Sequence, residues 1–310
     1  MDRLSYWFYD QLSDMLSFDD LKTLAYNFLS PRCWRGLLKK QEKKRKQFKL
    51  EIYPHCINKN LLLQYDITWM RGRGSLSLEK MDERFEKRFT HIRRIIVDGD
   101  EYFKEREWAV PKDMVETFTA LAPKADSDCH FQFDKSALFK RAVGSTTAAL
   151  HSLLDTLFLG PIGQVRFSSV TLHFKHKKCF DFFEKQVDHG RLQKVELQGE
   201  WPQETNSALS KVFKHGKVKV VKVEYMPSLE PKCITDCADY WKRTTSRVDI
   251  KITGNVRNLK TKSALLGKED IIYHPSVNRR ILRVDNEDSE TAGDNCITLI
   301  SRVNVSQSLP

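Results

Sequence analysis

The chain has 310 residues, 40% of them hydrophobic and 30% charged, and a formal net charge of +11. This length predicts two domains, and the composition provides for a sizeable core while arguing against a membrane protein. The longest apolar run, 146–163, contains His151 and Asp155 and is too short and polar to cross about 30 Å of hydrocarbon.

The start of the chain and its cysteines predict an intracellular protein, cytoplasmic, nuclear or both. Met-Asp-Arg is followed by alternating aromatic and polar residues, which is not the pattern of a signal peptide. The seven cysteines are odd in number and irregularly spaced, which predicts free thiols.

Residues 1–46 predict a short helical module. Apolar residues recur at helical spacing through Phe8, Leu12 and Leu16, and Asp19 is expected to cap a second helix. A third helix is expected to start at Ser30-Pro31. Three short helices bury little surface alone, so the module is expected to pack on the second domain or on a partner.

Four consecutive aromatic residues, 6–9, lie at the start of this module. They cannot all face one side of a helix. Partner binding is therefore favoured over core packing for this cluster.

A dense basic cluster ends the module and comprises Lys39, Lys40, Lys43, Lys44, Arg45, Lys46 and Lys49. Three interpretations stay open: a nuclear-localisation or nucleic-acid patch, a contact for an acidic partner, and the solvated face of a helix, which is favoured. Aromatic residues are not interleaved before Phe48, so base stacking is not expected on this segment.

The next part of the chain predicts mostly strands. Alternating or apolar residues indicate strands over 48–53, 61–69, 91–98 and 130–133. Residues 111–128 predict a loop or a short helix, and 138–158 a helix that ends at Gly160-Pro161.

Residues 165–254 predict a β/α repeat. Four strand cores alternate with three helical segments, and alignment on Leu172, Leu197, Val223 and Ile250 gives steps of 25, 26 and 27 residues. A leucine-rich-type solenoid has this period, but so does any run of β-α-β units with short loops. Because the leucine-rich consensus is absent, the solenoid and the simple run of β-α-β units both remain open. A hairpin is predicted over 268–284, and a last strand over 296–305.

The sequence predicts neither an enzyme nor a metal or cofactor site. Neither a phosphate-binding loop nor a nucleophile elbow is present. His173, His176 and Cys179, with Cys233 and Cys237, have spacings that zinc could use, but adjacent lysines and helical packing are the favoured explanation.

The order of residues in the first 40 positions resembles an F-box. The resemblance lies in Leu4, Phe8, Leu12, Leu16, the run Phe18-Asp19-Asp20-Leu21, Leu24, Trp34 and Leu37. Ser5 stands where the pattern has proline. Together with a C-terminal β/α domain over 47–310, this layout is similar to the nematode F-box and F-box-associated family.

The resemblance implies a substrate-recruiting subunit of a Skp–cullin–RING ubiquitin ligase. Its fold would be α/β, with an F-box-like module over 1–46 and a leucine-rich-repeat-like recognition domain. The module would bind a Skp-family adaptor, and the second domain an unidentified protein target. The adaptor-binding residues would be Leu4, Tyr6, Phe8, Leu12, Leu16, Leu21 and Trp34. The alternatives are a basic nucleic-acid-binding protein and an interaction domain without an adaptor.

Overall fold

The computed structural model describes residues 11–12, 16, 18–26, 32–57, 60–71, 75–98, 109–134, 147–246, 248–255, 271–273, 280–286 and 296–303. The fold is mixed α/β. The chain divides into two compact units, Met1–Ser168 and Ser169–Pro310. This division does not fall at the boundary predicted after residue 46, and a separate module over 1–46 stays a prediction.

Unit 1 begins with a packed pair of helices, α1 (Phe18–Tyr26) and α2 (Arg32–Lys44). Leu21 and Ala25 of α1 pack with Leu38 of α2 in a fully buried cluster. Asp19 lies inside the first turn of α1 and not at the predicted capping position. The helix dipole favours an acidic residue in that turn as well as at the cap. The predicted start at Ser30-Pro31 lies outside the described residues.

A mixed sheet follows the helix pair in unit 1. Its strands are β1 (Lys46–Ile57), β2 (Asn60–Trp69), β3 (Ser75–Leu76), β4 (Thr90–Val97) and β5 (Ala125–Phe133). Their order is β5-β4-β1-β2-β3. β1 is antiparallel to β2 and parallel to β4, and β4 is parallel to β5. The predicted strands in this region are confirmed.

Three α-helices accompany this sheet: α3 (Leu78–Arg84), α4 (Pro111–Leu121) and α5 (Thr147–Leu154). Short 3-10 turns follow at Lys87–Phe89, Ala122–Lys124 and Pro161–Gln164, and a π-helical turn spans Asp155–Leu159. Of the two interpretations of 111–128, the short helix is present as α4, whereas the start of β5 at Ala125 was not predicted. Residues 138–146 of the predicted helix 138–158 lie outside the described residues.

Unit 2 alternates strands and helices. Its first part runs β6 (Ser169–His173), α6 (Lys177–Asp188), β7 (Lys194–Glu200), α7 (Thr205–His215), β8 (Val220–Met226), α8 (Pro231–Arg243) and β9 (Asp249–Asn255). β6 to β9 lie side by side and parallel. The predicted strand cores and helices of 165–254 are confirmed.

Two apolar rows cross these four parallel strands in register. Val170, Val195, Val221 and Ile250 form the first row, and Leu172, Leu197, Val223 and Ile252 the second. All eight side chains are buried. Ile250 pairs with Val221, so the predicted alignment of Ile250 with Val223 is wrong, and the third repeat step is 29 residues long. Compared with the second step, the helix of the third unit is two residues longer, at 13 against 11 residues, and the loop from it to the next strand is longer as well.

The rest of unit 2 is antiparallel. β10 (Ile271–Tyr273) and β11 (Arg280–Asn286) form the predicted hairpin, and β12 (Cys296–Val303) joins β11 to β9. The turn predicted within the hairpin lies outside the described residues. Among the described helices of both units, none has the length and apolar character needed to cross a bilayer.

A pair of substitutions tests whether only one face of the β6–β9 sheet is covered. We expect Leu172→Ala to lower the free energy of unfolding by about 2–5 kcal/mol, because it leaves a cavity in a buried row. Lys222→Ala, on the other face, is expected to change it by less than about 0.5 kcal/mol. Urea denaturation measures both. Equal costs would mean that the second face is also covered.

Candidate protein-interaction surfaces

The face of the β6–β9 sheet opposite the apolar rows is polar. It is exposed at Lys222 and Lys251, whereas Thr171 on β6 is buried. We call this surface the open face; its residues are Thr171, Lys194, Glu196, Lys222, Asp249 and Lys251. The side chains of Lys222 and Asp249 are 49% and 52% exposed. Parallel sheets usually have both faces covered and therefore consist of continuous apolar runs. Here every second residue is polar, so one layer of helices suffices.

A charge network runs across the open face. The Lys194 ammonium lies 3.2 Å from the Glu196 carboxylate, and Lys222 lies 3.6 Å from it. Lys222 also lies 3.7 Å from Asp249, and the Thr171 hydroxyl donates a hydrogen bond of 3.0 Å to Glu196. These contacts link all four strands and order the charges of the surface before any partner arrives.

Glu196 lies at the centre of this network. Partial burial favours its protonated form, but the hydrogen bond and charge of Lys194, the Thr171 hydroxyl and the charge of Lys222 outweigh burial and lower the pKa of Glu196. The open face thus keeps its alternating charges at neutral pH.

The carboxyl ends of the strands are shaped by two bulges. β7 has one more residue than β8 between Leu197 and Glu200, and β8 has one more than β9 before Met226. Gly199 adopts a φ of 79°, and a Cβ there would lie 3.1 Å from the His173 ring. Its N–H donates a 2.6 Å bond to Glu224. Glycine is required at this position by backbone angle and by space.

A buried asparagine ties the loops at this edge together. Asn206, at the start of α7, donates through Nδ2 to the carbonyls of Gln203 and Ser228, each at 2.8 Å. Its Oδ1 accepts the Glu230 N–H at 2.9 Å. One side chain therefore joins the loop before α7 to the loop before α8, which fixes the spacing of adjacent repeats.

A buried tryptophan, Trp201, holds the loops of the preceding repeat together. The Trp201 indole N–H donates to the Gln198 carbonyl at 2.9 Å, and its ring packs 5.3 Å from Phe174 and 5.7 Å from Phe183. The loops after β6, β7 and β8 are therefore held by internal contacts.

The predicted adaptor-binding residues differ in burial, and some of them lie outside the described residues. Leu4, Tyr6 and Phe8 lie outside the described residues. Leu12 is half-buried in a helical turn, and Leu16 and Trp34 are partly buried against the α1–α2 cluster. Leu21 is fully buried and stabilises the helix pair itself, so its side chain is not on the surface.

The predicted basic cluster spans a helix and a strand. Lys39, Lys40, Lys43 and Lys44 lie exposed on α2, whereas Lys46 and Lys49 are half-buried on β1. Arg45, between them, is buried and donates a 2.6 Å hydrogen bond to the Leu16 carbonyl. Lys49 forms a 2.9 Å ion pair with Glu51. The exposed basic surface is therefore smaller than the cluster in the sequence.

The histidines and cysteines considered for zinc are distributed over three elements. His173 ends β6, and His176 caps α6 by accepting the Lys178 N–H through Nδ1. Cys179 is buried on α6, and Cys233 and Cys237 are buried on α8. In the described part of the chain, no group of three or more His, Cys, Asp or Glu side chains is arranged to hold a metal ion.

Burial controls the chemistry of the thiols. It raises the pKa of Cys233 to about 12, with Asp236 adding to the effect, and it also raises the pKa of Cys129, Cys179 and Cys237. Because the thiolate is the nucleophile, burial lowers the reactivity of these four thiols.

Sequence reasoning missed the open face and Asn206. The alternation of polar and apolar residues in β7, β8 and β9 was a usable signal, since a parallel strand buried on both sides would not alternate. Asn206 had no such signal, because it does not recur in the other repeats.

Comparison with protein-family models, curated proteins and solved structures finds no match to this chain.

Asn206→Leu is expected to lower the free energy of unfolding by about 1–3 kcal/mol, because it removes the side-chain bonds to the Glu230 N–H and to the Ser228 and Gln203 carbonyls; Gln203 keeps only its bond from the backbone N–H of residue 206. Ser207→Ala, at the next and exposed position, is the control and is expected to be neutral. Thermal unfolding measures both. An Asn206→Leu variant as stable as the control would contradict the linking role.

Proposed function

We propose that this protein is a non-enzymatic binding subunit that recruits a protein target to a Skp–cullin–RING ubiquitin ligase. The target would bind the open face of unit 2, and the N-terminal helices would bind a Skp-family adaptor. The observation that carries the proposal is the network of partly exposed charges on the polar face of the β6–β9 sheet.

The open face has the properties of a recognition surface. Stacked β/α repeats use such a strand-lined surface to bind partners. On it, ordered charges of both signs surround Lys222 and Asp249, which suits a partner of complementary charge pattern. We therefore assign target binding to this surface and not to the helical side of unit 2.

Adaptor binding is supported by the helix pair. A buried cluster of Leu21, Ala25 and Leu38 holds α1 and α2 together, so that partly exposed Leu16 and Trp34 are presented on a fixed support. Apolar residues at helical spacing are the usual means of binding a hydrophobic groove or face of another protein. The resemblance of residues 4–37 to an F-box names the partner class.

The buried thiols also support a non-enzymatic role. Nucleophilic catalysis by cysteine needs an accessible group with a lowered pKa, and burial has the opposite effect on Cys129, Cys179, Cys233 and Cys237.

Adaptor binding is tested with Leu12→Asp. We expect at least about tenfold less co-purified Skp-family adaptor, because an unpaired carboxylate in an apolar contact is costly. Gln11→Asp, the adjacent exposed position, is the matched control and should retain the adaptor. Circular dichroism confirms that both variants fold. Undiminished binding by Leu12→Asp, or none by the unaltered protein, rejects this part of the proposal.

Target binding is tested by reversing charge on the open face. The double variant Lys222→Glu/Lys251→Glu is compared with Lys232→Glu/Lys242→Glu, which makes the same charge change on exposed positions of α8. Quantitative mass spectrometry of co-purified proteins should find a set retained by the unaltered protein and the α8 variant but lost by the open-face variant. Loss from both variants alike would show that net charge, and not the open face, governs binding.

A further inference from the structure

The excess positive charge of unit 1 comes from one segment. Residues 32–49 contain nine lysines and arginines and one acidic residue, whereas the rest of residues 1–168 contains 19 basic and 22 acidic residues. Such a concentration of positive charge in a unit that is otherwise slightly acidic calls for an explanation beyond solubility.

The lysines of α2 form an exposed surface. Leu37, Leu38 and Gln41 are buried, and at 3.6 residues per turn the side opposite to them carries Lys39, Lys40 and Lys43. Lys40 and Lys44, like Lys39 and Lys43, are one turn apart, so like charges adjoin and repel one another. The helix dipole compensates the lysines of the last turn, but not Lys39 and Lys40.

Aromatic rings from three other elements lie beside this basic segment. The Lys39 ammonium is 5.1 Å from the Tyr26 ring of α1, and Lys46 is 5.4 Å from the Trp69 ring of β2. Phe89 has Lys44 at 4.7 Å and Arg88 at 5.4 Å. These cation–π contacts hold the long side chains in place and bring Arg88 to the same surface. We call the set Tyr26, Lys39, Lys40, Lys43, Lys44, Lys46, Trp69, Arg88 and Phe89 the cation–aromatic patch.

The rings differ in what they can offer to a ligand. Phe89 is 6% exposed and serves to position the cations above it, whereas Tyr26, the last residue of α1, is 55% exposed. An exposed ring next to a lysine provides a face for a flat base and a charge for the adjoining phosphate.

We propose that the cation–aromatic patch binds single-stranded nucleic acid, with phosphates on Lys39, Lys40, Lys43 and Lys44 and a base stacked on Tyr26. An acidic peptide would form ion pairs with the lysines but would not stack on the exposed Tyr26 ring. A duplex presents phosphates but no free base. This activity is separate from target binding by the open face.

The test is fluorescence anisotropy with labelled single-stranded RNA and DNA of about 12 nucleotides. The competitors are a duplex of the same length and polyglutamate. The full-length protein is expected to bind a single strand with an affinity that falls steeply with salt, more tightly than it binds the duplex or polyglutamate. Tighter binding of RNA or of DNA then identifies the natural strand.

Three variants locate the site. Lys40→Glu/Lys43→Glu should lower affinity by at least about tenfold at ionic strength near 0.1 M and flatten its salt dependence. Tyr26→Ala should lower affinity by about tenfold, and Tyr26→Phe should restore it, because phenylalanine also stacks. Lys222→Glu/Lys251→Glu, the same charge change on the open face, is the control and should bind normally.

The proposal is overturned by absent binding, by equal loss in the open-face control, or by polyglutamate binding as tightly as the single strand. It is also overturned if Tyr26→Ala binds normally, since the patch would then be a charge surface alone. Because unfolding temperatures are measured for every variant, a binding loss without unfolding is attributable to the patch. Failure here leaves the adaptor and target experiments unaffected.

Discussion

Burial of two in-register apolar rows under a single layer of helices is the interaction on which unit 2 depends. Each of the four parallel strands contributes one residue to each row, so a shift of one residue in any strand would place charges such as Lys222 against the helices. The same alternation that secures the core places polar side chains on the opposite face, where Lys222 and Asp249 are about half exposed. The alternation of polar and apolar residues therefore produces both the buried core and the proposed recognition surface.

Contacts between the helices also link each repeat to its neighbour. Lys211 of α7 reaches Glu184 and Asp188 of α6 at 3.5 and 3.1 Å, and Lys214 reaches Asp236 of α8 at 3.5 Å. Phe213 and Tyr240 pack 5.8 Å apart between α7 and α8. Exposed ion pairs contribute little individually, and the aromatic contact and the buried loop bonds of Asn206 provide most of the linkage. Each repeat is fixed mainly by its neighbour, as in other stacked architectures.

The sequence predicted much of this fold because strand cores and helical faces are local patterns. The strands at Leu172, Leu197 and Val223 were located by alternation alone. The last strand was misaligned by two residues, since Ile250 and Ile252 fit the alternation equally well and only the strand pairing distinguishes them. For 111–128 the sequence left a loop and a short helix open, and the structure has the helix, with Pro111 in its first turn. The start of β5 at Ala125 was missed. The aromatic partners of the lysines could not be predicted, because Tyr26, Trp69 and Phe89 come from separate elements.

The direction of β12 has a consequence for how this architecture can grow. β12 runs antiparallel to β9 and occupies the edge at which another parallel strand would have to pair. The series of repeats is therefore terminated at its C-terminal end by a reversal of chain direction. Lengthening the series, whether by gene duplication or by design, would require inserting a whole β/α unit before β9. An added unit of that kind would carry its own loop asparagine, or a substitute, to match the spacing set by its neighbours.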